Sequence, residues 1–98
     1  MSFTSVSTIA DGLAAPFTCE LNLGLVQRYV DDVVLVTEDE IAAAIKAVLE
    51  QTKLVAEPAS AAGLAALLTG KAGVPTGEET VIIFTGGNVD LARLKTLL

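Results

Sequence analysis

Residues 80–90, read TVIIFTGGNVD, constrain the fold more than any other stretch of the chain. The apolar run Val81-Ile82-Ile83-Phe84 breaks at Thr85-Gly86-Gly87-Asn88 and yields to Asp90-Leu91-Ala92-Arg93-Leu94. A short β-branched and aromatic run, a glycine turn and a helix start, in that order, describe a buried strand feeding a helix, the unit of an α/β sheet. The turn falls at the C-terminal end of the strand, where open parallel sheets bind ligands. Paired glycines permit positive φ or a close approach to a ligand. The same grammar joins strands to helices in many proteins, so ligand contact does not follow from it alone.

A second run, Val33-Val34-Leu35-Val36, has the same character, so strands are expected at about 33–36 and 80–84. Each is followed by a helix, which predicts an α/β fold with a parallel pair and a right-handed crossover. Thr37-Glu38-Asp39-Glu40 reads as a capping box, with acids at the positive end of the helix that follows. That helix is expected over Glu38 to about Thr52, burying Ile41, Ala44, Ile45, Val48 and Leu49, with Lys46 and Glu50 as an i,i+4 pair. Pro58 suits the first turn of the next helix, which runs through Leu68 and carries small residues on most faces, with Gly70 as its stop. An earlier helix is expected within Phe17 to Tyr29, weakened by Gly24. Residues 71–79, KAGVPTGEE, read as a polar loop. A two-stranded sheet is thin, and pairing with another copy would extend it; a homo-oligomer is therefore expected.

Composition excludes several classes. A chain of 98 residues has room for one domain. A net charge of −6 lacks the basic footprint of a nucleic-acid binder. No apolar run approaches the ~20 residues that span a bilayer, and the stretch MSFTSVSTIADG has neither the basic region nor the apolar core of a secretory signal. A lone cysteine, Cys19, cannot form an internal disulfide, which fits a cytoplasmic location; with no histidine to activate it, it is expected as a small buried or half-buried residue. Apolar residues make up 52% of the chain, and a chain this short cannot bury that much alone, so some is expected to face a partner.

Four blocks, Thr8-Ile9-Ala10-Asp11-Gly12-Leu13-Ala14, residues 30–41, residues 53–69 (KLVAEPASAAGLAALLT) and residues 80–90, stand in an order and at spacings that resemble the C-terminal part of the pyridoxal-phosphate-dependent serine/threonine dehydratases. This family includes threonine deaminase and serine racemase and has the tryptophan synthase β-like, fold-type II architecture. The resemblance runs from about Thr8 to the end. It implies that residues 1–98 are a single partial domain, the last third of a catalytic domain. It also implies a parent enzyme that is a pyridoxal-phosphate-dependent ammonia-lyase.

The resemblance carries over residue by residue. Thr85 stands where the family has a serine or cysteine that hydrogen-bonds the cofactor's pyridine nitrogen. A neutral hydroxyl there limits the electron sink and favours β-elimination over transamination; threonine keeps the hydroxyl and adds a methyl. Gly86, Gly87 and Asn88 complete that loop. Glu57 matches the glutamate of the family's Glu-Pro block, near the ring, and Gly12 belongs to an Ala-Asp-Gly turn near the cofactor edge. Each has a plainer reading. Thr85 and Asp11-Gly12 serve as turn residues, Glu57 as a helix N-terminal acid, and Asn88 as a helix cap, a role for which Asp90 competes. Asp31-Asp32 read as a solvated turn rather than a metal site.

The family's N-terminal lysine motif, its substrate loop and its phosphate-cradling glycine run have no counterpart here. The four lysines, Lys46, Lys53, Lys71 and Lys95, lie outside the lysine context of the family, and no glycine run exceeds Gly86-Gly87. No catalytic residue is therefore assigned, and no pyridoxal phosphate is expected on this chain alone. Two functions remain: one part of a dehydratase, working with a complementary dehydratase fragment, or a non-catalytic module that self-associates.

Overall fold

The computed structural model describes residues 6–98; residues 1–5, part of the N-terminal stretch discussed above, lie outside it. A single 3-10 turn, Asp11–Leu13, precedes four helices: α1 (Glu20–Tyr29), α2 (Glu38–Thr52), α3 (Pro58–Leu68) and α4 (Leu91–Leu97).

Helix α2 begins where the sequence says it should. The Thr37 hydroxyl accepts from the Glu40 amide at 3.2 Å, and the Glu40 carboxylate accepts from the Thr37 amide at 2.8 Å, so two otherwise orphaned donors are satisfied reciprocally. Replacing Thr37 by Ala is expected to cost about 1 kcal/mol, read as a lowered thermal midpoint. Ile41, Ala44, Ile45 and Val48 are buried along one stripe and Leu49 is half-buried. The stripe packs on α3, where Pro58, Ser60, Ala61, Ala65 and Ala66 are buried. Alanine on the α3 side lets the two helices approach closely, and Ala10, Ala56 and the half-buried Leu94 and Leu97 close the ends of this core. The expected Lys46–Glu50 pair does not form. Among the described residues, ion pairs join Lys71 to Glu40 at 2.8 Å and Arg93 to Asp11 at 3.1 Å.

Two corrections concern the sheet and α1. Residues 33–36 and 80–84 run without helix between helices, but no strand element is assigned among the described residues. Both runs have the residues of a strand and lack the neighbour whose backbone would complete a ladder. Both lie instead across α3: Val34, Leu35 and Val36 share a hollow of about 370 Å³ with Ala62 and Ala66, and the Ile82 methyl stands over Gly63. Helix α1 forms three residues later than Phe17, packs on no other element among those described, and is exposed throughout. Cys19, expected to be at least half-buried, is exposed at its start for the same reason.

The shape is open rather than compact. The chain measures 38 × 38 × 19 Å with a radius of gyration of 14.4 Å, where a compact domain of this length has about 13 Å. Its accessible surface is 7466 Å² for 10.1 kDa. A compact monomer of that mass exposes about 5,300 Å², so about 2,200 Å² is in excess. Much of it is apolar: Leu21, Val33, Leu35, Val81, Ile83 and Leu91 are all more than 70% exposed.

The N-terminal segment is tied to α2 through Glu38, whose carboxylate accepts from the Thr8 hydroxyl and, at 2.7 Å, from the Ile9 amide. These donors hold the Glu38 pKa below the ordinary glutamate range. The Lys71 ammonium, and then the Thr37 amide, do the same for Glu40. A depressed carboxylate pKa contributes stability that is complete above the unfolded value, about 4.3, and is lost as pH falls through the folded value. Replacing Glu38 by Gln is therefore expected to flatten the acid limb of a stability-against-pH curve below about pH 4.

Candidate functional site

The first turn of α3 is the hub on which the two glycine turns rest. Pro58 occupies N1, where its missing amide costs nothing, and Glu57 is the N-cap residue. The Glu57 amide donates to the Gly86 carbonyl at 3.1 Å. In return the Gly86 amide donates to the Ser60 hydroxyl at 2.8 Å. This reciprocal pair docks the loop Thr85–Asn88 onto the helix start, and the Ser60 Oγ then lies 3.5 Å from the Thr85 Oγ1.

Close approach explains the glycines. A Cβ on Gly86 would stand 2.7 Å from the Glu57 carboxylate, and one on Gly87 would stand 2.6 Å from the Val55 carbonyl oxygen. Neither glycine adopts positive φ; among the described residues that conformation falls to Lys53, Gly70, Gly73 and Gly77. Of the two uses of paired glycines, room rather than backbone handedness applies here: the Glu57 carboxylate approaches Gly86 and the Val55 backbone approaches Gly87. Gly12 follows the same logic in the same first turn of the helix: its Cβ would meet the Ala59 Cβ at 2.9 Å.

Thr85, Gly86, Gly87, Glu57 and Gly12 are thus gathered against residues 55–60, although they come from three separate parts of the chain. Glu57 makes no capping bond with its side chain. Its carboxylate lies beside the Gly86 Cα, at the start of α3, where an acid also suits the positive helix end. Asn88 sits in the turn and caps nothing, whereas Asp90 takes the α4 cap by accepting from the Arg93 amide at 2.7 Å. Asp11 is bonded to Arg93, whose guanidinium also donates to the Ile9 carbonyl, tying the Asp11–Gly12 turn to α4. Sequence reasoning missed Ser60. The one available signal was a hydroxyl one turn into an otherwise aliphatic helix.

The remaining chemistry is sparse. Among the described residues no cluster of acids or cysteine could hold a metal ion, and Asp32 accepts from its neighbour Val33 in a local turn. Among the described residues no helix is long and apolar enough to cross a membrane.

The pyridoxal-phosphate-dependent enzyme family matches residues 2–86. The chain belongs to that family. It is 44% identical over 91 residues to an L-threonine ammonia-lyase of Thermotoga maritima, covering 93% of this chain and 22% of that protein. It is 39% identical over 94 residues to the catabolic L-threonine dehydratase TdcB of Escherichia coli, covering 95% and 29% respectively. Among solved structures it is similar to serine racemase from Dictyostelium discoideum, at 44% identity and a TM-score of 0.77, covering 87% of this chain and 28% of the other. The chain thus spans less than a third of the length of each of these relatives.

Pyridoxal phosphate has three ends to satisfy, and the residues present suit one. The exposed Thr85 hydroxyl beside a glycine loop suits the edge of an aromatic ring. Nothing gathered at residues 55–60 suits the aldehyde or the phosphate. The Lys53 and Lys71 ammonium groups are bonded to the Glu50 carbonyl and the Glu40 carboxylate, and Lys46 and Lys95 are exposed on α2 and α4. The described residues of this family member do not fit the whole cofactor.

Proposed function

We propose that this chain forms the ring-facing wall of a pyridoxal-phosphate-dependent dehydratase that removes water and then ammonia from a hydroxy amino acid such as threonine or serine. The wall is inert until another stretch of polypeptide supplies the amine and the phosphate cradle. The observation that carries this reading is the docked loop: Thr85, Gly86 and Gly87 are held against Glu57 and Ser60 by reciprocal bonds, on a chain whose relatives act on threonine by name. When bound, the cofactor supplies the electron sink for elimination. The chain's own part is to hold Thr85, Gly86, Gly87, Asn88, Glu57 and Gly12 along one edge of it. The excess surface supports the same reading, because about 2,200 Å² is of the order that large, permanent interfaces bury.

The test is reconstitution. Co-expression with a polypeptide carrying the lysine motif and phosphate loop of a threonine dehydratase, but lacking this last segment, is expected to yield a stable complex that releases 2-oxobutyrate from threonine. A complex that forms and stays inactive with an intact lysine, or no complex at all, counts against the proposal.

A second reading rests on the exposed apolar runs at 33–36 and 80–84. Two copies could cover these runs against each other as a non-catalytic module. A concentration-dependent dimer by light scattering that does not exchange for the complementary polypeptide would favour it.

A further inference from the structure

Resting on the reading that a second polypeptide completes this chain, we propose that residues 33–36 form an open strand edge. Its occupant is an extended, β-branched segment flanked by basic residues, and not a second copy of this chain. Exposure alternates along the run: Val33 and Leu35 are 71% and 86% exposed, whereas Val34 is 38% exposed and Val36 is half-buried. That is the two-residue period of a strand with one face covered. What the run lacks is a ladder. The Val33 amide donates to the Asp32 carboxylate at 2.8 Å, but among the described residues the backbone of 34–36 has no partner within the chain. Half-covered backbone groups need partners, and a row of free amides and carbonyls is a template for an incoming strand. A hollow of about 370 Å³ opens beside this run, floored by Ala10, Ala62, Gly63 and Ala66. So small a floor leaves room for the branched side chains that an added strand turns inward at every second residue.

Charge decides between occupants. Asp31 and Asp32 stand immediately before the run and Glu38 two residues after it, while Glu78 and Glu79 precede residues 80–84. In each register that aligns apolar runs of two copies, acid meets acid. Residues 33–36 paired antiparallel with themselves set Asp31 against Glu38, and paired parallel they set Asp31 against Asp31. Against residues 81–84 of another copy, Glu79 faces Asp31 in the parallel register and Glu38 in the antiparallel one. Like charges directly opposite one another destabilise a ladder, and each copy carries −6 overall. Among the described residues the ion pairs engage Glu40 and Asp11, and none of Asp31, Asp32, Glu78 and Glu79. A strand flanked by lysine or arginine turns every one of these oppositions into an attraction.

The experiment is NMR and amide exchange on the full chain, titrated with two synthetic peptides. Both alternate valine with threonine; one is led by two lysines and the other by two glutamates. The lysine-led peptide is expected to slow exchange at every second amide within residues 33–36. The glutamate-led peptide is expected to bind about tenfold more weakly at low salt, and the two are expected to converge at about 1 M salt. Asp31→Lys, a change at an exposed side chain, should shrink the preference severalfold. Equal binding of the two peptides at low salt, or binding that leaves these amides unprotected, overturns the proposal. Protection that grows with protein concentration in the absence of peptide also overturns it, because a second copy then holds the edge. The peptides carry neither the cofactor-holding motif nor the phosphate loop. Selective peptide binding by a chain that gives no active complex on co-expression therefore overturns the dehydratase reading and leaves the edge in place.

Discussion

Replacing Ile45 by Ala is expected to leave the chain largely unfolded at room temperature. Ile45 is 1% exposed and sits at the centre of the α2–α3 contact. Truncating a buried Ile to Ala costs about 2–5 kcal/mol, because lost transfer energy adds to the cavity left behind. Its neighbours here are mostly alanines, Ala44, Ala61 and Ala65, anchored in helix backbones that cannot reach into the space. The chain starts near the bottom of the usual stability range of about 5–15 kcal/mol, since so much of its apolar surface is unburied. The helix signal in circular dichroism, followed against urea, measures the effect directly. Leu35→Ala is the matched control. Leu35 is 86% exposed, so its truncation is expected to change stability by less than about 0.5 kcal/mol in the isolated chain. A large loss at Leu35 would reveal that copies of the chain already cover this face.

The second large effect is expected at Gly87. A methyl group there would stand 2.6 Å from the Val55 carbonyl oxygen, a backbone atom with no rotamer to change. Gly87→Ala therefore forces the loop off α3, at a cost of about 1–3 kcal/mol. The loss is local in its first effect. The Glu57 and Gly86 amides, whose bonds hold the loop, should lose hydrogen-exchange protection while α2 keeps its own. Gly24→Ala makes the opposite prediction. Nothing lies within 4 Å of a Cβ at that mid-helix position, so α1 should gain about 0.5–1 kcal/mol of helix stability. Equal responses at the two glycines would show that the loop is not docked as described.

What was legible in the sequence was what local chemistry decides. Thr37 with Glu40, and Pro58 after Glu57, mark the starts of α2 and α3 because capping and the proline ring act within one turn. The buried stripe of α2 followed from its 3.6-residue period, with Leu49 less covered than expected. Strand formation at 33–36 and 80–84 is a different kind of statement. The residues favour a strand, yet a ladder needs a neighbouring backbone, and no local pattern says whether one is within reach. The same limit hid the Arg93–Asp11 pair, whose partners lie 82 positions apart, and the role of Ser60, which reads locally as one more small residue in an alanine-rich helix. The candidate site was legible through its family resemblance, as six residues with expected roles. That five of them gather at residues 55–60 became visible only in three dimensions.

On the proposed function, this chain presents one wall of a dehydratase pocket and no amine placed to engage the cofactor. The most direct measurement is threonine deamination by the purified chain with pyridoxal phosphate and nothing else, followed as 2-oxobutyrate release. No release above the rate of free pyridoxal phosphate is predicted, even at high protein concentration. Sustained release by the chain unaided, abolished by replacing any one of Lys46, Lys53, Lys71 or Lys95, would contradict it.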